Sequence, residues 1–212
     1  QDCIGEPTFK PVLYNWVAAA FVAGLGAFET AYKMPSVLGA AGVSLLIAFG
    51  SPRLLGVERR TALMAAIAWV AMPSTLKHMY FCRPDMLFGS LLAVGWMGAT
   101  GILLGRAGAW TALAVWGAFA GALLTKGPLA FVLPVYVVLG AKVLTGRWRT
   151  SLRTGLVWGL PLAIAVAAVW LVLAWRIDPE HVRGGLLGQE VARVKRVDGA
   201  HFAPALMQFL RC

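Results

Sequence analysis

An all-α, polytopic transmembrane helix bundle is the fold that this chain predicts, and three observations carry that expectation. Its 212 residues are 59% hydrophobic and 13% charged, with a mean hydropathy of +0.74, far from the balance of a soluble domain. Its apolar runs approach the roughly 20 residues that a helix needs to cross the hydrocarbon of a bilayer. Lys and Arg gather in the short connections between those runs. A helix satisfies its backbone donors and acceptors internally, as lipid requires.

The pattern reads as about six spans plus one interfacial helix. Val12 to Phe28 is apolar enough to cross, which would put Lys10 on the cytoplasmic side, yet Tyr14, Asn15 and Trp16 favour the interface, so the reading preferred is a helix flat on the outer surface, with Lys10 on the face of Arg83, Asp85 and Lys126. The first span is Met34 to Gly50, stopped by Ser51-Pro52. The second runs from Thr61 to about Leu76 and bends at Pro73. Asp85 to Leu104 and Gly108 to Leu124 form a hairpin around Gly105-Arg106. Leu129 to Leu144 and Leu152 to Trp175 make a last pair, with Pro134 and Pro161 as kinks. Gly101 with Gly105, and Gly117 with Gly121, have the small-xxx-small spacing of close helix packing. The chain thus divides into an outer segment, 1–33, a bundle, 34–175, and a second outer segment, 176–212.

Charge sets the orientation, because Lys and Arg in short loops stay on the cytoplasmic side. Arg53, Arg59 and Arg60 share one loop, Arg106 lies in another, and Lys142, Arg147, Arg149 and Arg153 in a third. The alternate connections, with Lys33, Lys77 to Asp85, Thr125 to Pro128 and everything after Trp175, then face outward. The net charge of +10 and pI of about 10.2 are explained by this topology and a basic tail, so no nucleic-acid partner is expected from charge. High Ala, Gly and Arg usage suits a GC-rich bacterial genome, which points to the inner membrane with the outward face in the periplasm.

Few residues read as metal or redox chemistry. Cys3, Cys82 and Cys212 match no zinc spacing, and His78, His181 and His201 are scattered along the chain. Gly184 to Gly188 lacks the Lys-Ser/Thr of a phosphate loop and reads as a turn. Chain ends at Gln1, without Met, and at Cys212, just as Phe202 to Leu210 opens an apolar run, read as those of an internal fragment.

Two polar motifs stand out, because both are expected to emerge on the same membrane face: Arg83-Pro84-Asp85 and Lys126-Gly127-Pro128. Each has a plain structural reading. An acid beside proline suits a helix start, and lysine followed by glycine and proline suits a helix end and the start of the next. Ions so close to lipid are costly unless paired or used, which favours a functional reading.

Four segments in order resemble the membrane core of polyprenyl-phosphate-sugar-dependent glycosyltransferases of the C-type fold, a family that includes lipid A aminoarabinose transferases and, more distantly, protein O-mannosyltransferases. Gly5 to Trp16 resembles the family's G-E-P-Y-F-E-K-P-P-L-Y-Y-W, and Glu29 to Leu38 the approach to its second span, with Lys33 where arginine is usual. Arg83 to Leu87 resembles R-P-D-M-L, and Leu124 to Ala130 resembles L-T-K-G-P-L-A. The tail, with Glu190, Arg193, His201 and Pro204, is similar to the loop after the seventh span.

The resemblance implies transfer of a sugar from a polyprenyl-phosphate donor to a lipid, glycan or protein acceptor at the periplasmic face. Lys10, Arg83 and Lys126 are the expected donor-phosphate cations, Asp85 orients them or helps to hold a metal, and Glu190, Arg193 and His201 line the opposing lip. No cofactor is specified, and a divalent cation is left open. The family's glutamate before the lysine is absent at Thr8-Phe9-Lys10. Its catalytic acidic pair falls before residue 1, so the chain alone is expected to be inactive. The rival readings are a transporter or flippase, for which charges near the midplane and paired halves would speak, and a non-catalytic membrane subunit.

Overall fold

The computed structural model describes residues 12–26, 29–81, 84–177, 179 and 182. They fall into two compact units: Pro11–Ala168, and a unit made of the two chain ends, Gln1–Lys10 with Val169–Cys212. Of the second unit the described residues are the last turns of one apolar helix and two isolated positions. Everything below concerns the first unit.

Its elements are helical. They are α1 (Leu13–Leu25), α2 (Glu29–Leu45), a π-helical turn (Leu46–Gly50), α3 (Ser51–Leu54), α4 (Arg59–Ala71), α5 (Pro73–Tyr80), α6 (Asp85–Leu103), α7 (Ala109–Lys126), a 3-10 turn (Gly127–Phe131), α8 (Val132–Thr145), a second 3-10 turn (Trp148–Thr154) and α9, which starts at Leu156 and continues to Ile177. By length and composition, four helical runs suit a membrane crossing: Glu29–Leu54, Asp85–Leu103, Ala109–Thr145 and Leu156–Ile177. The third contains two of the expected spans, since Gly127, at φ 60°, lies between α7 and α8.

Packing fixes the direction of each helix. A Cβ on Gly39 would meet the Met86 backbone, one on Gly50 the Met97 side chain, and one on Gly101 the Leu54 side chain, so α2 and α3 run alongside α6 in the same sense. Leu133 fills the space over Gly95, Thr100 Oγ1 lies 2.7 Å from the Tyr136 hydroxyl, and Leu103 faces Gly140, so α8 also runs with α6. The intervening α7 returns between them. Phe88, Leu92, Ile102, Val115, Phe119, Leu133 and Val137 form the centre of the core. Apolar side chains such as Ile67, Val143 and Val157 remain exposed, as expected where the solvent is hydrocarbon and packing relies on small residues at the contacts.

Three expectations need correction. Ser51-Pro52 does not stop the first span, and the helix starts at Glu29 rather than Met34. The chain passes the proline by widening into the π-turn. Ser51 N–H bonds the Leu46 carbonyl, and Ser51 Oγ donates to the Ile47 carbonyl at 2.6 Å. That is the acceptor that an i→i−5 bond from residue 52 would use, and proline has no N–H to give. In the second span, Pro73 marks a break rather than a bend. Met72 is extended, with ψ 128°, as a residue before proline prefers, and neither α4 nor α5 is long enough to cross alone. Pro134 lies in the first turn of α8, where its missing N–H leaves no bond unmade, so it starts a helix instead of kinking one.

The hairpin at Gly105-Arg106 is closed by a Schellman arrangement. Arg106 N–H bonds the Gly101 carbonyl and Gly105 N–H the Ile102 carbonyl, both at 2.9 Å, with Gly105 at φ 74°. The small-xxx-small pairs do not act as pairs. Gly101 packs on Leu54 and Gly121 on Leu91 and Leu13, while Gly105 and Gly117 face open space.

Candidate functional site

Because α6 and α7 are antiparallel neighbours, the first residue of α6 and the last of α7 arrive at the same end of the bundle. Those residues are Asp85 and Lys126, and Lys126 Nζ donates to Asp85 Oδ1 in a salt bridge. Each also suits its helix end: the carboxylate sits at the positive end of α6 and the ammonium at the negative end of α7. The side chains stay 39% and 27% exposed respectively, so the pair is worth at most about 1 kcal/mol of stability. That small value makes fold maintenance a weak reason for placing two ions here.

The backbone around Lys126 is arranged residue by residue. Thr125 is fully buried, and its Oγ1 donates to the Gly121 carbonyl at 2.7 Å. Gly127 adopts φ 60°, ψ −131°, a conformation that disfavours any side chain. Pro128 then begins the 3-10 turn. The Lys126 ammonium lies 5.4 Å from the centre of the Phe88 ring, one turn below Asp85 on α6. A cation is thus held at the rim by a carboxylate and an aromatic face.

The same end carries a second set of contacts that the sequence did not single out. The Tyr14 hydroxyl of α1 donates to the Tyr32 carbonyl at 3.0 Å and lies 3.3 Å from Ser36 Oγ, which in turn donates to the Phe81 carbonyl at 3.3 Å. Lys33 pairs with Glu29 and places its ammonium 3.6 Å from the centre of the Tyr80 ring. Together these bonds tie α1, α2 and the end of α5 to the segment that leads into Arg83 and Asp85. Tyr14 and Lys33 lie within the quoted segments, but only the tertiary contacts reveal their partners.

Of the residues expected at the site, the structure joins Asp85 and Lys126. Lys10, Arg83, Arg193 and His201 lie outside the described residues, as do Glu190 and the three cysteines. Among the described residues no group of three or more His, Cys, Asp or Glu converges on a metal position. His78 is half-buried on α5, with Nδ1 2.7 Å from the Ser74 carbonyl.

No family model matches the chain. It is similar to the undecaprenyl phosphate-alpha-4-amino-4-deoxy-L-arabinose arabinosyl transferase of Pseudomonas paraeruginosa, with 30% identity over 200 residues, covering 92% of this chain and 36% of the relative. A transferase of the same description from Pseudomonas fluorescens is 26% identical over 203 residues, again covering 92% and 36%. The chain therefore spans about a third of the length of the curated relatives it matches. Among solved structures, the crystal structure of ArnT from Cupriavidus metallidurans bound to undecaprenyl phosphate matches with a TM-score of 0.72 and 20% identity, covering 83% of this chain and 33% of that one. Along nearly its whole length the chain thus resembles, in sequence, a stretch of these arabinosyl transferases and, in helical fold, the corresponding part of the solved structure.

Proposed function

We propose that the protein transfers a sugar from a polyprenyl-phosphate donor to a lipid, glycan or protein acceptor at the membrane face carrying Asp85 and Lys126, and that this face is the periplasmic side of a bacterial inner membrane. The observation that carries the reading is the Lys126–Asp85 pair at the rim of an apolar bundle, in a chain whose curated relatives are named for transfer from undecaprenyl phosphate.

As the sugar leaves, negative charge grows on the departing phosphate, and a cation already fixed at the rim of the bundle stabilises that charge without reorganising. Lys126 is such a cation. Asp85 holds it in position until the phosphate arrives, when the ammonium has a more strongly charged partner. Lys10 and Arg83 complete the cationic set in this reading, and Arg193 and His201 belong to the facing lip. Asp85 is a positioning residue here and not the base, because its carboxylate is already committed to the ammonium. A hydroxyl acceptor needs a separate carboxylate to take its proton. The exposed apolar flanks offer the isoprenoid tail a route within the bilayer.

The test is turnover with a polyprenyl-phosphate sugar in the full-length protein. Lys126→Ala or Arg83→Ala should leave the protein folded in the membrane and lower transfer about 100- to 1,000-fold, the range for removing a preorganised charge stabiliser. Unchanged turnover in both variants would reduce the motifs to helix-end chemistry and overturn the assignment.

A further inference from the structure

The end of the bundle away from Asp85 and Lys126 carries charge of a different kind. After α8 the chain forms the 3-10 strap Trp148–Thr154, which lies against the ends of α6 and α8 before α9 begins. One edge of the strap is locked inward. Ser151 and Thr154 are buried, and the Trp116 indole of α7 donates to the Thr154 carbonyl at 2.7 Å. Thr145 Oγ1 donates to Thr150 Oγ1 at 2.9 Å, tying the strap to the last turn of α8. With about three residues per turn, locking positions 151 and 154 inward turns Arg149, Leu152 and Arg153 outward, while Arg147 and Trp148, where the strap begins, are exposed even though Trp148 is in phase with the inner edge.

Those outward edges are basic and apolar together. Arg147, Arg149 and Arg153 are exposed, Trp148 is 50% exposed and Leu152 53%. Lys142 adds a fourth cation, 5.9 Å from the centre of the Trp148 ring. The sequence has no Asp or Glu from Met86 to Ile177, so none of these helices brings an acid to the strap. A charge excess in loops accounts for which side such residues occupy. It does not account for their display, beside an exposed tryptophan and leucine, on a turn whose inner edge is pinned by buried hydrogen bonds.

We infer that the strap is a binding surface for anionic phospholipid headgroups, with the arginines and Lys142 on the phosphates and Trp148 and Leu152 seated at the boundary with the acyl chains. Aromatic and apolar side chains prefer that depth. Cations just above it are drawn to anionic lipid, and each strengthens the attraction. Zwitterionic lipid matches the apolar anchors but leaves the cations with no net charge to meet. Lipid held there ties the α8–α9 connection to the membrane at the end of the bundle remote from the proposed chemistry.

The experiment places the purified protein in nanodiscs with equal phosphatidylglycerol and phosphatidylcholine and counts the lipids retained by native mass spectrometry. The expected result is retention of phosphatidylglycerol at least about tenfold over phosphatidylcholine, weakened by added salt and reduced to near parity in Arg147→Gln/Arg149→Gln/Arg153→Gln. Arg53→Gln/Arg59→Gln/Arg60→Gln, which removes as many cations elsewhere, should keep the preference. Equal retention of the two lipids by the unaltered protein, or equal losses in both triple variants, would overturn the strap as a site. Should the strap variant not fold, brominated lipids give a second reading on intact helices. The quenching lost in Trp148→Phe should be greater with brominated phosphatidylglycerol than with brominated phosphatidylcholine, and no difference would sink the proposal.

Discussion

The two ends of the first unit handle charge in opposite ways. At one end Asp85 meets Lys126 and Glu29 meets Lys33, and each ammonium also lies near an aromatic ring, Phe88 or Tyr80. At the other, Arg147, Arg149 and Arg153 extend from the strap in a stretch of sequence without acids. Pairing keeps a cation in one place and ready to exchange its partner, which suits a site where charge develops during a reaction. Cations at a bilayer surface that meet no carboxylate among the described residues attract a standing population of anions instead. The difference teaches that a single count of +10 conceals two physically distinct uses of basic residues.

The largest expected effect on stability lies at the strap end. Trp116 is 2% exposed, holds the Thr154 carbonyl and packs on Phe119. Trp116→Ala should cost about 3–5 kcal/mol through the cavity, in addition to leaving the carbonyl unpaired. A thermal melt in detergent checks it, and a shift no larger than that of a surface substitution would mean that the strap is held by something else.

A smaller loss, with a different signature, is expected where α2 and α6 touch. A Cβ on Gly39 would lie 2.9 Å from the Met86 carbonyl oxygen, and a backbone atom cannot step aside as a side chain can. Gly39→Ala should therefore cost about 1–3 kcal/mol. Because Met86 follows Asp85, the same variant should also lower turnover. Equal stability and turnover would show that the two helices part without moving the salt bridge.

The smallest effect on stability sharpens the contrast. Asp85→Asn should change unfolding free energy by less than about 1 kcal/mol, as expected for a partly exposed pair, while lowering turnover by loosening Lys126. A large destabilisation with unaltered turnover would turn the pair into a structural clasp and erase the distinction between the two ends.

Several features were legible because they are local. Composition and run length predicted a helical membrane chain, and the order of the runs placed Asp85 and Lys126 at one end, since alternate connections of a bundle share a face. Boundaries were harder. Ser51-Pro52 carries every mark of a helix stop, and it fails to stop one because Ser51 Oγ and a π-turn rearrange the bonds that proline disrupts. The break at Met72 was visible as Pro73, but its severity was not, because the backbone choice of the residue before a proline depends on what surrounds it.

What the sequence determined by itself is therefore the solvent of this protein, the type of its elements and the ends at which its ions emerge, all of which follow from near-neighbour patterning and the cost of charge in hydrocarbon. The tertiary structure alone decided which ions meet. The Lys126–Asp85 bridge, the Lys33–Tyr80 contact, the chain of hydroxyls from Tyr14 through Ser36 to Phe81, and the Trp116 bond that turns the strap's arginines outward join residues 18 to 47 positions apart. Such pairings depend on helix direction and on the close approach that glycine permits at Gly39, and neither quantity is written in any single stretch of the chain.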